Sequence, residues 1–300
     1  MVAMLRREFI PTLASGALAQ PTPKKRLIVH ADDAGMCHSA NAATIEALGV
    51  GLVSSSSIML PCAWAREFTD WAKAHPEKDL GVHTTLTSEW KHYRWRPVSS
   101  IETVKGLIDD EGFIWRDVRS AATHASAAEI EREIRAQIER AKACGVAITH
   151  IDSHMGTVFA RPDYFEVYTK LAREYGVLCM LPRPTEEALA NLKGYPITPE
   201  QLKAKEAAGY KMIDHLVLGV GGRTPAERRD SYRKFIAELK PGVTKLIVHL
   251  AMNDSEIRAV TNNWEPRWAD FLFWTSSEAR ELLRANDIEL YTYRQLVQSA

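Results

Sequence analysis

The sequence predicts an α/β fold, a TIM-like (β/α) barrel in a single domain. Three observations carry that expectation. Eight short apolar or β-branched runs alternate with longer helical patterns from residue 27 onward, and repeated strand–helix–strand order argues for a parallel sheet with helices outside it. Eight is also the strand count of a barrel. Setting a 19-residue leader aside leaves 300 − 19 = 281 residues, which suits one barrel of roughly 250 residues better than two domains.

The elements follow in chain order. Arg6 and Arg7 precede an apolar stretch over residues 10–19, and Ala17-Leu18-Ala19 offers small residues at a cleavage-site spacing. Residues 1–19 therefore resemble a twin-arginine-type signal peptide, and export to the bacterial periplasm or beyond is expected; the alternative, with Pro11 inside the apolar part, is an N-terminal helix of a cytoplasmic protein. Residues 20–26, with Pro21 and Pro23, are a lead-in, and the barrel domain is expected over 27–300. Strands are predicted at 27–31, 55–60, 80–86, 147–152, 177–181, 214–220, 245–250 and 288–292. Between them, Trp64, Phe68 and Trp71 form one apolar helical stripe over 63–74. Ser126 and Glu129 form a capping box ahead of Ile130, Ile134 and Ile138, and Gly145 ends that helix. Pro162 and Pro266 suit first-turn positions of helices running to 174 and 286. Two long connections, 87–126 and 182–211, follow predicted strands three and five. Loops after strand C-termini carry the chemistry in parallel α/β folds, so both are candidate substrate walls.

Composition excludes several function classes. Lys+Arg 38 balances Asp+Glu 38, so there is no chain-wide basic footprint for nucleic acid or an anionic membrane surface. Without the leader's Arg6, Arg7 and Glu8 the count is 38 − 2 = 36 basic against 38 − 1 = 37 acidic residues. No run of about 18 apolar residues predicts a membrane span. With 46% hydrophobic and 25% charged residues the chain can bury a large core. Four cysteines, Cys37, Cys62, Cys144 and Cys179, form no CxxC pair and read as small thiols in apolar surroundings.

The chemistry is concentrated at predicted strand ends. Leu27-Ile-Val-His-Ala-Asp-Asp-Ala-Gly35 runs an apolar strand into two adjacent carboxylates, which is costly unless a cation or hydrogen-bond network balances them. Neighbouring side chains point apart, so Asp32 and Asp33 can do different jobs. The structural alternative is that Ser39 or Asp33 caps the following helix. His83 interrupts the third strand, as a ligand or as a hydrogen-bonded core residue. In Ile148-Thr-His-Ile-Asp-Ser-His154 the period of two puts His150, Asp152 and His154 on one face. His249 ends the seventh strand. In a barrel these ends share one rim, and an Asp/His/His set there is a three-ligand divalent site with open positions for water and substrate.

The segments His-Ala-Asp-Asp-Ala-Gly (30–35), Val-Ser-Ser-Ser-Ser-Ile-Met (53–59), Leu-Gly-Val-His-Thr-Thr-Leu-Thr (80–87) and Thr-His-Ile-Asp-Ser-His (149–154) resemble the YdjC/ChbG family of carbohydrate deacetylases. The resemblance implies a distorted (β/α) barrel that removes N-acetyl groups from amino sugars such as chitooligosaccharides with one divalent metal ion, Mg2+ or Zn2+. It also implies Asp33, His83 and His154 as metal ligands, Asp32 as general base and His249 as general acid. Many members carry a further His where this chain has Gly156, which puts a substrate contact in question. Arg183 could orient Asp32, bind sugar or be a surface residue. Trp90, Tyr93 and Trp95, and Trp264 with Trp268, could stack on sugar rings or pack in the core. The expected partner is thus a carbohydrate. Other amide, ester or phosphoester hydrolysis on the same scaffold, or silent carbohydrate binding, are the alternatives, and the scarcity of clustered basic residues argues against a phosphate.

Overall fold

The computed structural model describes residues 24–298; the predicted leader, most of the lead-in and the last two residues lie outside them. All eight predicted strands form: β1 Lys25–Ala34, β2 Ser55–Ile58, β3 Leu80–Thr84, β4 Ile148–Ser153, β5 Leu178–Cys179, β6 His215–Val217, β7 Gly242–His249 and β8 Ile288–Leu290. The lead-in boundary shifts, because Lys25 and Arg26 already pair with Gly242 and Val243 of β7 and with Ile288 and Glu289 of β8.

Every strand pairing is parallel, in the order β5-β4-β3-β2-β1-β7-β6. The ends of that row meet through a parallel bridge between Pro182 and Ile213, where Ile213 N–H donates to Leu181 at 2.9 Å and Arg183 N–H to Ile213 at 2.8 Å. Strand β8 pairs only with residues 25–27 of β1, whereas β2 pairs with residues 30–34. β1 thus serves two neighbours in succession along one edge. That split, with strands of two and three residues at β5 and β6, is the distortion of the barrel.

Alternate strand residues meet inside the ring, as a period of two requires. His30 lies 3.0 Å from Ser55 and 3.1 Å from Ser57, Ser57 lies 3.1 Å from both His83 and Asp152, and Lys245 reaches Asp152. Gly81 belongs to this layer: a Cβ there would stand 2.5 Å from His150 Nε2. The barrel interior is therefore polar and tightly filled, while apolar residues of the strands and helices make the surrounding core.

Helices cover the outside. Ala127–Ala143 starts at the expected capping box, with both reciprocal Ser126 and Glu129 bonds made. It buries Ile130, Ile134 and Ile138, but also Glu133 and Gln137. These two polar residues fasten the chain after β3: Gln137 bonds both backbone groups of Thr85, and Glu133 accepts from Val98 and Ser99. Pro162 opens Pro162–Tyr175. The span from Pro266 to 286 is two helices, Trp264–Trp274 and Ser277–Ala285, because Ser276 caps the second one anew. On Ala65–Ala74 only Phe68 of the expected stripe is fully buried; Trp64 is 40% exposed, beside His38. Neither Ser39 nor Asp33 caps His38–Val50, whose N-cap is Cys37 without a side-chain bond; Ser39 donates to Asp254 instead. The long connections hold further helices, Val118–His124, Glu186–Asn191 and Pro199–Ala207. Cys37, Cys62 and Cys179 are buried and all four thiols are free. Among the described residues no helix is long and apolar enough to cross a membrane.

Candidate active site

A cavity of about 880 Å³ opens at the C-terminal mouth of the barrel, where this architecture puts its chemistry. Asp32, Asp33, His83, His154 and His249 all line it. Asp32 and His249 sit opposite each other in the β1/β7 register. The register of β1 against β2 slips between Ala31 and Ala34, and Asp33 adopts φ +66°, the left-handed region that non-glycine residues seldom use. This local strain turns the two carboxylates apart. Asp32 Oδ1 approaches His30 Nε2 at 3.2 Å, whereas Asp33 faces the histidines at the ends of β3 and β4.

Three donor atoms then form a nearly equilateral triangle. Asp33 Oδ1 is 3.4 Å from His83 Nε2 and 3.4 Å from His154 Nδ1, and the two nitrogens are 3.3 Å apart. Ligands held at about 2.1 Å from one ion at near-tetrahedral angles are separated by about that much. Each imidazole turns its other nitrogen to a carboxylate: His83 Nδ1 lies 2.8 Å from Asp152 Oδ1, and His154 Nε2 lies 3.0 Å from Glu89 Oε2. A carboxylate behind each ring fixes its tautomer and is the usual support of a metal-bound histidine. Asp33 Oδ2 accepts from Arg267 at 2.7 Å, while its buried Oδ1 has no hydrogen-bond partner. An orphaned carboxylate oxygen aimed at two imidazoles is the donor set a divalent cation completes, so these residues fit the metal that the motifs predict.

The charges are strongly coupled. Burial pushes the Asp33 carboxyl up, but Arg267, His154 and His83 outweigh it and hold the group well below the usual carboxylate range. Burial likewise opposes the charged rings, yet Asp152 and Asp32 raise His83 well above its ordinary value, and Glu89 with Asp33 lifts His154 to about 9. His249 differs. Its side chain is 38% exposed at the mouth, Nε2 stands 3.8 Å from Asp33 Oδ2, and partial desolvation inside the cavity, with the nearby Arg267, lowers its pKa against the pull of Asp33. Its backbone N–H donates to Asp270 Oδ2 at 3.3 Å, and Asp270 is held by Arg228 and Tyr232.

Sequence reasoning places some residues and misses others. His150 and Asp152 do share the interior face, but β4 ends at Ser153 and His154 belongs to the turn that follows. Buried His150 stacks on Tyr293 at 4.0 Å, away from the triangle, and its pKa is lowered well below the ordinary value by burial and by His30. Trp90 lines the cavity, stacked near Tyr93 and with Arg267 5.9 Å from its ring. Trp264 instead packs under Arg258, 4.4 Å from the ring centre, and is not part of the cavity wall. Arg183 neither lines the cavity nor touches Asp32: Glu206 and Asp214 take its guanidinium beside the seam of the barrel. Trp95 is buried, its indole N–H bonded to Thr87. Both long connections contribute to the wall, through Glu89 and Trp90 and through Pro182, Asn191, Leu192 and Tyr195. At Gly156 (φ +67°) a Cβ would stand 2.6 Å from Tyr195 Oη, so Tyr195 fills the space where the resemblance puts a further histidine in many members. Glu89, Arg267 and Lys245 are not among the residues the motifs single out. A lysine inside the apolar run 245–250 is a legible signal; Glu89 and Arg267 lie in segments with no pattern to distinguish them.

Known proteins agree with this architecture. The model of the YdjC-like protein family matches residues 26–285. A carbohydrate deacetylase of Thermus thermophilus is 34% identical over 262 residues, covering 87% of this chain and 90% of that protein. One from Brevibacillus brevis is 29% identical over 272 residues, covering 90% and 99%. A crystal structure from Enterococcus faecalis V583, of a putative cellobiose-phosphate cleavage protein, superimposes with a TM-score of 0.77 at 23% identity, covering 91% of this chain and 99% of that one. With its motifs, parallel barrel and family match over the same residues, the chain belongs to the YdjC-like protein family.

Proposed function

We propose that the protein is a metal-dependent carbohydrate deacetylase, hydrolysing the N-acetyl group of an amino sugar or chitooligosaccharide and releasing acetate. The observation that supports this most is the Asp33, His83 and His154 triangle in a cavity that also presents Asp32 and His249. The names of the relatives supply the substrate class. Asp33, His83 and His154 would hold one divalent ion, a donor set that suits zinc and tolerates magnesium, and that ion would supply Lewis-acid polarisation of the acyl carbonyl and of a water molecule.

The chain's own groups do the rest. Asp32 lines the cavity and serves as general base for the attacking water; its pKa lies below the ordinary value, as His83 and Lys245 outweigh burial and the nearby Asp152. Arg267 holds the far oxygen of Asp33 and keeps that carboxylate ionised. His249 gives a proton to the departing amine, which leaves poorly as an anion; a lowered pKa makes its imidazolium the stronger acid. Trp90 offers a ring face to the sugar at the wall. The cavity volume lies within the usual range for small-molecule sites. Residues 1–19 are proposed to direct export, with the catalytic barrel following.

Acetate release from N-acetylated chitooligosaccharides, with and without chelator, tests the reading. A metal-loaded protein that frees no acyl group from a broad glycan panel sinks it; binding without turnover would favour a silent binder, and phosphate release a different hydrolase. Asp32→Asn is expected to retain metal and lose turnover, whereas Asp33→Asn or His154→Ala lowers metal content. An N-terminus at Gln20 on secreted protein supports the leader, and an intact Met1 removes it.

A further inference from the structure

Beneath the Asp33, His83 and His154 triangle lies a second set of ligand-type side chains. His30, His150 and Asp152 bring donor atoms within 4.8 Å of one another, and so do Asp32, His83 and Asp152. All are buried, and His150 Nε2 has no hydrogen-bond partner. By donor type alone this cluster would take a second ion.

Lys245 distinguishes it from the triangle. Its side chain is 1% exposed, and Nζ lies 2.9 Å from Asp152 Oδ2, the oxygen that also meets His30 Nε2 at 2.9 Å. The other oxygen of Asp152 faces His83 Nδ1. An ammonium has three donors and no lone pair to offer a metal, and two cations crowded onto one buried carboxylate repel strongly. A charge count agrees. Asp32, Asp33, Glu89 and Asp152 supply four negative charges, and Lys245 with Arg267 supplies two positive ones. With neutral imidazoles the remainder is 4 − 2 = 2 negative charges, the charge of one divalent ion.

We propose that Lys245 stands in for a second metal ion: it limits the centre to a single divalent cation and fixes Asp152 so that Asp152 orients His83 toward that cation. The inference rests on reading Asp33, His83 and His154 as metal ligands. Lys245 does not line the cavity and is a positioning residue.

The test strips wild type, Lys245→Met, Asp152→Asn and the Lys245→Met/Asp152→Asn double variant with chelator. Each is then titrated with Zn2+ and with Mn2+, and bound metal per chain is measured by elemental mass spectrometry and calorimetry. One ion is expected in wild type. Two are expected in Lys245→Met, falling to one when His150→Ala is added. The double variant returns to one, because removing both members of the ion pair restores two residual negative charges. Should Lys245→Met fail to fold, Asp152→Asn and the double variant carry the comparison: both lack the carboxylate behind His83, but Asp152→Asn leaves the Lys245 ammonium unpaired and repelling the ion, so it is expected to bind that ion at least about 10-fold more weakly than the double. Two ions per wild-type chain, one ion at unchanged affinity in Lys245→Met, or equal affinities in Asp152→Asn and the double variant would overturn the inference. A wild-type chain that takes up neither ion sinks the metal reading and this inference together, whereas a wild-type chain holding two sinks the inference alone.

Discussion

Asp270 gives the most direct test of how the rim of the cavity is held. The carboxylate is 1% exposed and accepts four hydrogen bonds: from Arg228 Nε at 2.5 Å and Nη2 at 2.9 Å, from the Tyr232 hydroxyl at 2.6 Å, and from the His249 backbone at 3.3 Å. Arg228 is itself 8% exposed, and its remaining donors hold the carbonyls of Val220 and Gly222 in the cavity wall. In Asp270→Asn one oxygen still serves Tyr232 or His249, but the guanidinium loses its counter-charge. Removing one partner of a buried ion pair costs about 3–5 kcal/mol. At roughly 2–4 °C per kcal/mol for a chain somewhat under this size, the melting temperature should fall by about 10 °C. The same variant should lower kcat at nearly constant metal content, since the backbone of His249 loses its anchor while the Asp33, His83 and His154 triangle is untouched. Denaturant unfolding reads the first effect, and acetate release together with bound-metal analysis on the purified protein reads the second. Adding Arg228→Met to Asp270→Asn should recover a large part of the stability, as the unpaired charge is then gone. A loss below about 1 kcal/mol in Asp270→Asn, or additive losses in the double variant, would refute the claim that this pair is a buried, coupled support.

Three further outcomes follow from the geometry. Glu89 and Asp33 outweigh burial and lift the His154 pKa to about 9 in the metal-free site, from an ordinary value of 6.5. The His154 contribution to metal-free stability is therefore full below about pH 6.5 and lost as pH rises through 9. Since a ligand imidazole must be neutral, metal affinity should rise over the same interval with proton release, read by calorimetry in buffers of different ionisation enthalpy; pH-independent uptake would contradict the Glu89 and Asp33 environment. In Gly81→Ala the new methyl meets His150 Nε2 at 2.5 Å and the His150 carbonyl at 2.6 Å; overpacking against backbone should cost about 1–3 kcal/mol, and an unchanged unfolding midpoint would show that the interior can yield. Gly156→His places a side chain on Tyr195 at a left-handed position, so it should raise KM and lower stability, and adding Tyr195→Ala should relieve the clash; no relief in that double variant would remove Tyr195 as the obstacle.

Strand positions are legible because burial imposes itself on local sequence: an apolar run flanked by turn residues has few other uses. The capping box at Ser126 and Glu129 is legible for a related reason, being satisfied within four residues. The span from Pro266 to 286 reads as one helix but is two, because Ser276 accepts from the Ala279 N–H and caps a new helix; Ser is a cap-forming residue, and whether it caps or stays within a helix is set by the packing around it. Trp264 and Arg183 fall outside the site because a residue type says nothing about which neighbour will claim it. Arg258 takes the indole, and Glu206 with Asp214 takes the guanidinium.

By itself the sequence determined eight strands in parallel order and the presence of Asp32, Asp33, His83, His154 and His249 at or next to strand ends, since apolar period and strand length are local properties; that seven of them close the ring while β8 only flanks β1 is decided in three dimensions. Only the tertiary structure decided how those groups divide. Glu89 comes to His154 across 65 residues of chain, Asp152 to His83 across 69, Lys245 to Asp152 across 93 and Arg267 to Asp33 across 234. The closing of one ring makes all four meetings, around a left-handed turn at Asp33. A buried charge is tolerated only where its counter-charge arrives from elsewhere in the fold, and no local pattern records that meeting.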